Sequence, residues 1–132
     1  MYNHPESIVK INGFKIQNGK SECGGGIYNM GSLTVENSYI DSNTAKGWLG
    51  GGGIASWKHL IVKNSTISYN TASIEGGGIA SWSSLALENS EIFANTALLE
   101  GGGISIHGDL TVKNSSITSN KAKNHGGGLY IS

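Results

Sequence analysis

The sequence contains little charge, no arginine, one proline and one cysteine. Charged residues make up 14% of the 132 residues, and nine lysines balance nine acidic residues. Because nucleic acids and anionic membranes are usually bound by a basic excess, the composition predicts no nucleic-acid partner. No apolar run is long enough to span a bilayer, so membrane insertion is not expected either. The single Cys23 excludes an internal disulfide, and we interpret it as a small apolar filler.

Glycine is abundant instead, with 21 residues, and its arrangement excludes two classes of protein. The glycines show no Gly-X-Y period, which excludes collagen, and the low charge is not that of a disordered polyelectrolyte. The first residues, Met1 to Pro5, lack the basic and apolar blocks of a secretory signal. We therefore expect one folded domain, whose organisation is best sought in internal repeats.

A Gly-Gly-Gly triplet followed by Ile or Leu recurs at a nearly constant step. The triplets occupy residues 24–26, 51–53, 76–78, 101–103 and 126–128, so the steps measure 27, 25, 25 and 25 residues. Two asparagine columns keep the same step, namely Asn37, Asn64, Asn89 and Asn114, and Asn43, Asn70, Asn95 and Asn120. The two additional residues of the first step fall in residues 46–50, which predicts a surface loop there.

Apolar residues within each repeat alternate with the period of a β-strand. Leu33 and Val35 are two residues apart, as are Leu60 and Val62 in the next repeat. A Gly triplet would cost about 1 kcal/mol per residue in a helix interior, which argues against helices. We predict three short strands per repeat, joined at corners where Asn and Gly tolerate positive φ. Repeats in register then form the coils of a parallel β-helix, stacked about 4.8 Å apart.

The repeats resemble those of a known group of proteins. Each Gly-Gly-Gly-Ile run is followed by an Ile-x-x-Asn such as Ile40 to Asn43 or Ile117 to Asn120. From about Val9 to Ser132 these motifs are similar to right-handed β-helix repeats of bacterial and archaeal surface proteins. The polymorphic outer-membrane proteins, with Gly-Gly-Ala-Ile and Phe-x-x-Asn motifs, are the nearest named family. The resemblance implies a right-handed β-helix, an extracellular or cell-surface location, and a role in adhesion or assembly.

The expected architecture is an all-β, right-handed parallel β-helix of about five coils of ~25 residues. Residues 8–132 form the single β-helix domain, and residues 1–7 form a polar N-terminal arm that could serve as a partial cap. At the N-terminus, two registers are possible. We prefer the one that places Val9, Ile11 and Ile16 inside, because the other would bury two lysines.

Both ends of this β-helix are predicted to be uncapped, which leads to the main functional hypothesis. Unpaired strand edges over an exposed slice of core favour head-to-tail stacking of copies into an open filament. Val9, Ile11 and Ile16 would form one mating face, and Leu129 and Ile131 part of the other. The other interpretation is that residues 1–132 are an excised piece of a longer β-helix.

Two outward columns carry the competing binding hypotheses. Trp57 and Trp82 share a column with Met30 and His107 and should stack on neighbouring coils. Outward aromatic residues could bind a glycan or a surface protein, as in an adhesin, or could merely shield the edge of the sheet. The second column alternates Glu36, Lys63, Glu88 and Lys113, which either fixes the coil register or forms a solvated polar face.

A third column contains residue types that bind metals, and the outward positions of the first strands bear on catalysis. Glu75, Glu100 and His125 precede successive triplets and are weak candidates for a metal site. The outward positions of the first strands hold Tyr, Ala and Ser without any acid or base, so we predict neither an enzyme nor a cofactor. The sequence thus favours a structural, self-assembling protein.

Overall fold

The computed structural model describes all 132 residues, which form 21 short β-strands and no helix. Every pairing between strands is parallel, and each strand pairs with its counterpart one coil away. The chain therefore winds as a β-helix of about five coils, as the repeats predict. None of its elements is a helix with the length and apolar character needed to cross a bilayer.

The strands form four parallel sheets that run the length of the molecule. The first sheet contains β1 (Tyr2–Asn3), β5 (Ile27–Asn29), β9 (Ile54–Ser56), β13 (Ile79–Ser81), β17 (Ile104–Ile106) and β21 (Leu129–Ile131). The second contains β2 (Ile8–Asn12), β6 (Ser32–Glu36), β10 (Leu60–Lys63), β14 (Leu85–Glu88) and β18 (Leu110–Lys113). The third contains β3 (Lys15–Gln17), β7 (Tyr39–Asp41), β11 (Thr66–Ser68), β15 (Glu91–Phe93) and β19 (Ser116–Thr118). The fourth contains β4 (Lys20–Ser21), β8 (Thr44–Ala45), β12 (Thr71–Ala72), β16 (Thr96–Ala97) and β20 (Lys121–Ala122).

The fourth sheet corrects the prediction of three strands per coil. Its strands are only two residues long, too short for alternation of polar and apolar residues to reveal them. Four of its five strands have an alanine in one column, of which Ala45, Ala72 and Ala97 are buried, and β4 has Ser21 at this position. Small side chains there let the fourth sheet lie close to the Gly triplets of the same coil, and Gly53 approaches the amide of Asn70.

Identical residues stack in the core because the coils pair without a shift in register. Ile27 lies opposite Ile54, and Ile79 lies between Ile54 and Ile104. One cluster of 15 buried apolar residues runs along the axis of the molecule. The core is thus a set of columns of like residues, so each coil buries its apolar side chains mainly against the coils above and below.

The two asparagine columns have different structural roles. Asn37, Asn64, Asn89 and Asn114 lie at exposed corners with φ of 46–50°, as predicted. In the second column Asn43, Asn70 and Asn95 are buried and Asn120 is half-buried, and the positive φ belongs to the residue that precedes each asparagine, such as Tyr69 before Asn70. Its side chains form a ladder inside the β-helix: Asn43 Nδ2 donates to Asn70 Oδ1 at 3.0 Å, and Asn70 Nδ2 donates to Asn95 Oδ1 at 3.0 Å.

The N-terminal segment adopts the register that the sequence favours. Val9 lies opposite Leu33, Ile11 opposite Val35, and Ile16 opposite Ile40. The arm, however, contributes a strand of its own, because Tyr2 and Asn3 pair with Tyr28 and Asn29 on β5. The first sheet therefore has six strands and each other sheet five. The additional residues of the first step lie in an irregular loop, as expected.

Candidate functional site

The N-terminal end of the β-helix exposes the edges of β1, β2, β3 and β4. Of the apolar residues predicted to form this face, Ile11 is buried, while Val9 and Ile16 are half-buried and pack on the core from the open side. A cleft of about 800 Å³ opens beside β4, where a preceding coil would lie. Its lining includes Met1, Cys23, Tyr28 and the triplet at residues 24–26.

The C-terminal end exposes the edges of β18, β19, β20 and β21. Val112 is 44% exposed, although Val35, Val62 and Leu87 in the same column are fully buried. Leu129 is half-buried, and Ile131 is exposed. Since the same column is covered in every inner coil, these residues are open only because no coil follows β21 in the structure.

Backbone groups in the Gly triplets point along the axis and are satisfied by the next coil. The N–H of Gly101 donates to the carbonyl of His125 at 3.0 Å, and that of Gly102 to the carbonyl of Gly126 at 3.1 Å. The triplet at residues 126–128 has no following coil in the structure to accept the equivalent bonds. The C-terminal end thus presents backbone donors, while the first triplet lines the cleft at the other end, where the Gly26 carbonyl accepts from the Met1 amino group at 3.0 Å.

The serine and asparagine ladders run in one direction, because backbone N–H groups of one coil donate to side chains of the following coil. The first coil lacks the serine and asparagine side chains that would accept such bonds. Ser90 N donates to Ser115 Oγ at 3.0 Å, and Asn95 N donates to Asn120 Oδ1 at 2.9 Å, so each coil depends on a side chain of the next. In the first coil Phe14 and Gly19 occupy the Ser and Asn positions. A coil stacked on the N-terminal end would find no side-chain acceptor at these two corners.

The outer face of the first sheet carries a continuous aromatic stack. The Trp57 and Trp82 rings lie 4.5 Å apart at 14°, which confirms the predicted stacking, and His107 follows Trp82 at 5.8 Å and 9°. Both faces of the Trp82 ring are therefore covered by neighbouring rings. Sugars bind aromatic residues mainly through ring faces, so this column offers a glycan mostly ring edges. The buried Trp57 Nε1 has no hydrogen-bond partner.

Acidic and histidine side chains beside this stack form pairs and not a metal cluster. Glu75 Oε2 accepts from Ser105 Oγ at 2.5 Å and lies 2.8 Å from His107 Nε2. His125 Nδ1 lies 3.2 Å from Glu100 Oε1. Glu75 and Glu100 are on adjacent coils, but no group of three metal-ligating side chains forms anywhere in the molecule.

One contact on this face is absent from the sequence prediction. The Ser132 hydroxyl contacts His107 Nδ1, so Ser132, His107 and Glu75 form a chain of contacts across three successive coils. Ser132 N donates to the carbonyl of Ile106 at 3.1 Å, so this N–H is not free to stabilise an oxyanion. The arrangement secures the end of the chain to the aromatic stack.

The alternating charge column forms fewer pairs than its pattern allows. Lys63 Nζ and Glu88 Oε2 are 3.5 Å apart, but Glu36 pairs with Lys10 of the first coil at 2.6 Å. Glu36 and Lys63 lie opposite each other in register but form no ion pair. These exposed pairs add little stability, and the buried columns are the main determinants of register.

Sequence reasoning missed β1, although a signal for it is present. Met1-Tyr2-Asn3 repeats the pattern of Ile27-Tyr28-Asn29 on β5, on which it stacks. The Tyr2 and Tyr28 rings are 5.7 Å apart, and Asn3 Nδ2 donates to Asn29 Oδ1 at 2.7 Å. A search for partial repeats upstream of Pro5 would have found this strand.

Comparison with known proteins identifies the fold and leaves the activity open. A family model described as right handed beta helix region matches residues 2–132. Proteins with this fold include both enzymes and structural proteins. No curated protein and no solved structure matches the chain. The match confirms the right-handed β-helix prediction, whereas the narrower likeness to polymorphic outer-membrane proteins stays a prediction.

Proposed function

The chain belongs to the family of right-handed β-helix regions, and from the residue columns that its first and last coils share we propose that copies stack head to tail into a filament. The observation that supports this most is the matching of the two ends. Val9, Ile11 and Ile16 at one end lie in the same core columns as residues of β18 and β19 at the other. A second copy would therefore continue each apolar column without a change of register.

In the proposed joint, β2 of one copy pairs with β18 of its neighbour, and β3 pairs with β19. Ile11 then covers Val112, and Ile16 covers Ile117, in the way that Val35 covers Val62 within the chain. The N–H groups of residues 126–128 donate to carbonyls around the triplet at residues 24–26, as successive triplets do inside the β-helix. Burial of apolar columns and completion of backbone bonds together favour association.

The joint is weaker than an interior contact between coils. Phe14 and Gly19 offer no side-chain oxygen, so the N–H groups of Ser115 and Asn120 lose the partners that inner coils provide. Each unsatisfied buried donor costs about 1–3 kcal/mol. We accordingly propose a filament that dissociates into folded subunits. Its location would be extracellular or at the cell surface, as the likeness of the repeats to surface proteins implies.

Charge placed in the joint tests this proposal. Val112→Lys puts an ammonium group into the joint, where it has no partner, but leaves it solvated in the isolated chain because Val112 is 44% exposed. Negative-stain microscopy and sedimentation velocity over a concentration series should show thin fibres for the parent chain and monomers for the variant. Leu98→Lys is the matched control, because Leu98 is 54% exposed and follows β16, which β20 covers, so its side chain lies outside the proposed joint.

Two results would contradict the proposal. A parent chain that stays monomeric at every concentration would favour an excised piece of a longer β-helix. Fibres that form equally well with Val112→Lys would show that the ends do not meet. The binding alternative stays a prediction, and a glycan array comparing the parent with the Trp57→Ala, Trp82→Ala double variant tests it.

A further inference from the structure

The strand β1 occupies the edge of β5 that a stacked copy would need. Tyr28 N donates to the Met1 carbonyl at 2.7 Å, and Met30 N donates to the Asn3 carbonyl at 2.8 Å. The amino group of Met1 adds a bond to the carbonyl of Gly26 at 3.0 Å. Through these contacts the arm completes the first sheet at the N-terminal end with residues of the same chain.

The strand β21 has the chemistry to replace β1 on this edge. Leu129 occupies the inner column of Ile104, and Tyr130 the outer column of Ser105. On the edge of β5, Tyr2 of β1 lies opposite Tyr28, and Met1, which directly precedes β1, accepts a bond from Tyr28 N through its carbonyl. The chain therefore has an apolar residue followed by tyrosine at both places, Met1-Tyr2 where β1 begins and Leu129-Tyr130 in β21. The bond from Ser132 N to the Ile106 carbonyl is equivalent to the bond from Met30 N to the Asn3 carbonyl. Neighbouring strands at both ends of this sheet are therefore joined by the same backbone hydrogen bond.

In a continuous stack of coils, β1 and the neighbour's β21 would occupy the same position beside β5. When β2 of one copy pairs with β18 of its neighbour, the position next to β5 along the first sheet is the position of the neighbour's β21. The first sheet has six strands and the other sheets five, so rigid copies that both keep β1 paired cannot be in contact in all four sheets. Retaining β1 would leave a gap one strand wide, about 4.8 Å, in three of the sheets.

We propose that β1 is an intramolecular occupant of the β5 edge and that β21 of a second copy displaces it during assembly. This inference rests on the proposed function and specifies its docking edge, its occupant and its control. The partner is a second copy of this chain, because β21 meets the apolar, tyrosine and backbone-acceptor positions of β5. Displacement exchanges a strand of two residues for one of three and also fills the cleft beside Cys23 with residues 126–128.

A disulfide that holds β1 on β5 tests the exchange. Tyr2 and Tyr28 are opposite in register, about 4.8 Å apart along the sheet, so cysteines there are within disulfide range. In a Cys23→Ser background, the Tyr2→Cys, Tyr28→Cys chain should lose fibre formation when oxidised and regain it on reduction. Comparing two redox states of one chain removes the effect of the substitutions themselves.

A matched disulfide elsewhere and a release variant complete the experiment. Thr71→Cys with Thr96→Cys joins opposed residues of the fourth sheet and should leave assembly unchanged in both redox states. Deletion of residues 1–3 frees the β5 edge and should accelerate fibre formation, measured by light scattering. If the oxidised Tyr2–Tyr28 lock assembles like its reduced form, the exchange is wrong and the filament stands. If neither the parent nor the deletion variant assembles, the filament itself is wrong.

Discussion

Buried asparagines carry much of the polar stabilisation between coils. Asn70 Oδ1 accepts from Asn43 N at 2.9 Å and from Asn43 Nδ2, and Asn70 Nδ2 donates to the Ile40 carbonyl and to Asn95. The side chain is completely buried, so water cannot replace these partners. Ladders of this kind make the β-helix depend on single amides as well as on its apolar columns.

Replacing one rung of the ladder should strongly destabilise the chain. Asn70→Leu removes an acceptor from Asn43 and a donor from Ile40 and Asn95, and we expect a loss of about 2–4 kcal/mol in the free energy of unfolding. Urea denaturation followed by circular dichroism measures it. Asn89→Gly is the control, because Asn89 lies at an exposed corner with φ of 47°, where glycine is well tolerated. Equal effects at both sites would contradict the distinction between the two columns.

The single cysteine gives a prediction with a definite pH direction. Partial burial raises the pKa of the Cys23 thiol, an effect opposed by the backbone of Leu49 and reinforced by the carboxylate of Glu22. A raised pKa means a smaller thiolate fraction at neutral pH than in a free cysteine. The rate of alkylation should therefore rise with pH to a half-maximum above that of a cysteine peptide. A half-maximum at or below the peptide's value would contradict this environment.

At the scale of the element, substitutions in different Gly triplets should affect different properties, either the stability of the folded chain or its stacking on a second copy. A Cβ built on Gly103 would lie 2.5 Å from the carbonyl oxygen of Gly128 and 2.8 Å from Asn120 Nδ2. A Cβ built on Gly128 meets nothing closer than 3.4 Å, at Ile117 Cγ2, because no coil follows. The same methyl group is therefore obstructed in one triplet and free in the next.

This contrast predicts different outcomes for two alanine substitutions. Gly103→Ala should lower the unfolding free energy by about 1–3 kcal/mol, since the added methyl overpacks the interior. Gly128→Ala should leave the stability of the monomer nearly unchanged but prevent stacking, because the methyl then points at the triplet of the next copy. Denaturation and sedimentation velocity measure the two effects separately. Normal fibres from Gly128→Ala would contradict the proposed joint.

The number and stacking of the coils can be predicted from the sequence, because equivalent residues of successive repeats lie opposite each other in the β-helix. The Gly-Ile step, the inner positions of Val9, Ile11 and Ile16, and the stacking of Trp57 on Trp82 all follow from a constant repeat. A two-residue strand leaves no such periodicity, which is why the fourth sheet was missed. The sequence predicts an arm that could serve as a partial cap but not its strand, because polar residues and Pro5 obscure the match between Tyr2-Asn3 and Tyr28-Asn29.

The site was less predictable than the fold, since it depends on what covers each side chain. Spacing placed Glu75, Glu100 and His125 in one column, but only coordinates show Glu75 turned to His107 and Ser105. Spacing likewise placed two tryptophans outward without showing that their ring faces cover one another. The predicted mating residues lie at the open ends, but the sequence does not reveal that β1 competes for one of those ends.

Electron cryomicroscopy of fibres from the parent chain tests the account at the scale of the whole molecule. Continuous stacking with exchange of β1 predicts one five-coil subunit per axial rise of about 24 Å, with strand spacing unbroken across each joint. The map should show β21 of one copy paired with β5 of the next. A rise of six strand spacings, subunits related by a two-fold axis, or β1 still paired with β5 inside the fibre would contradict the account.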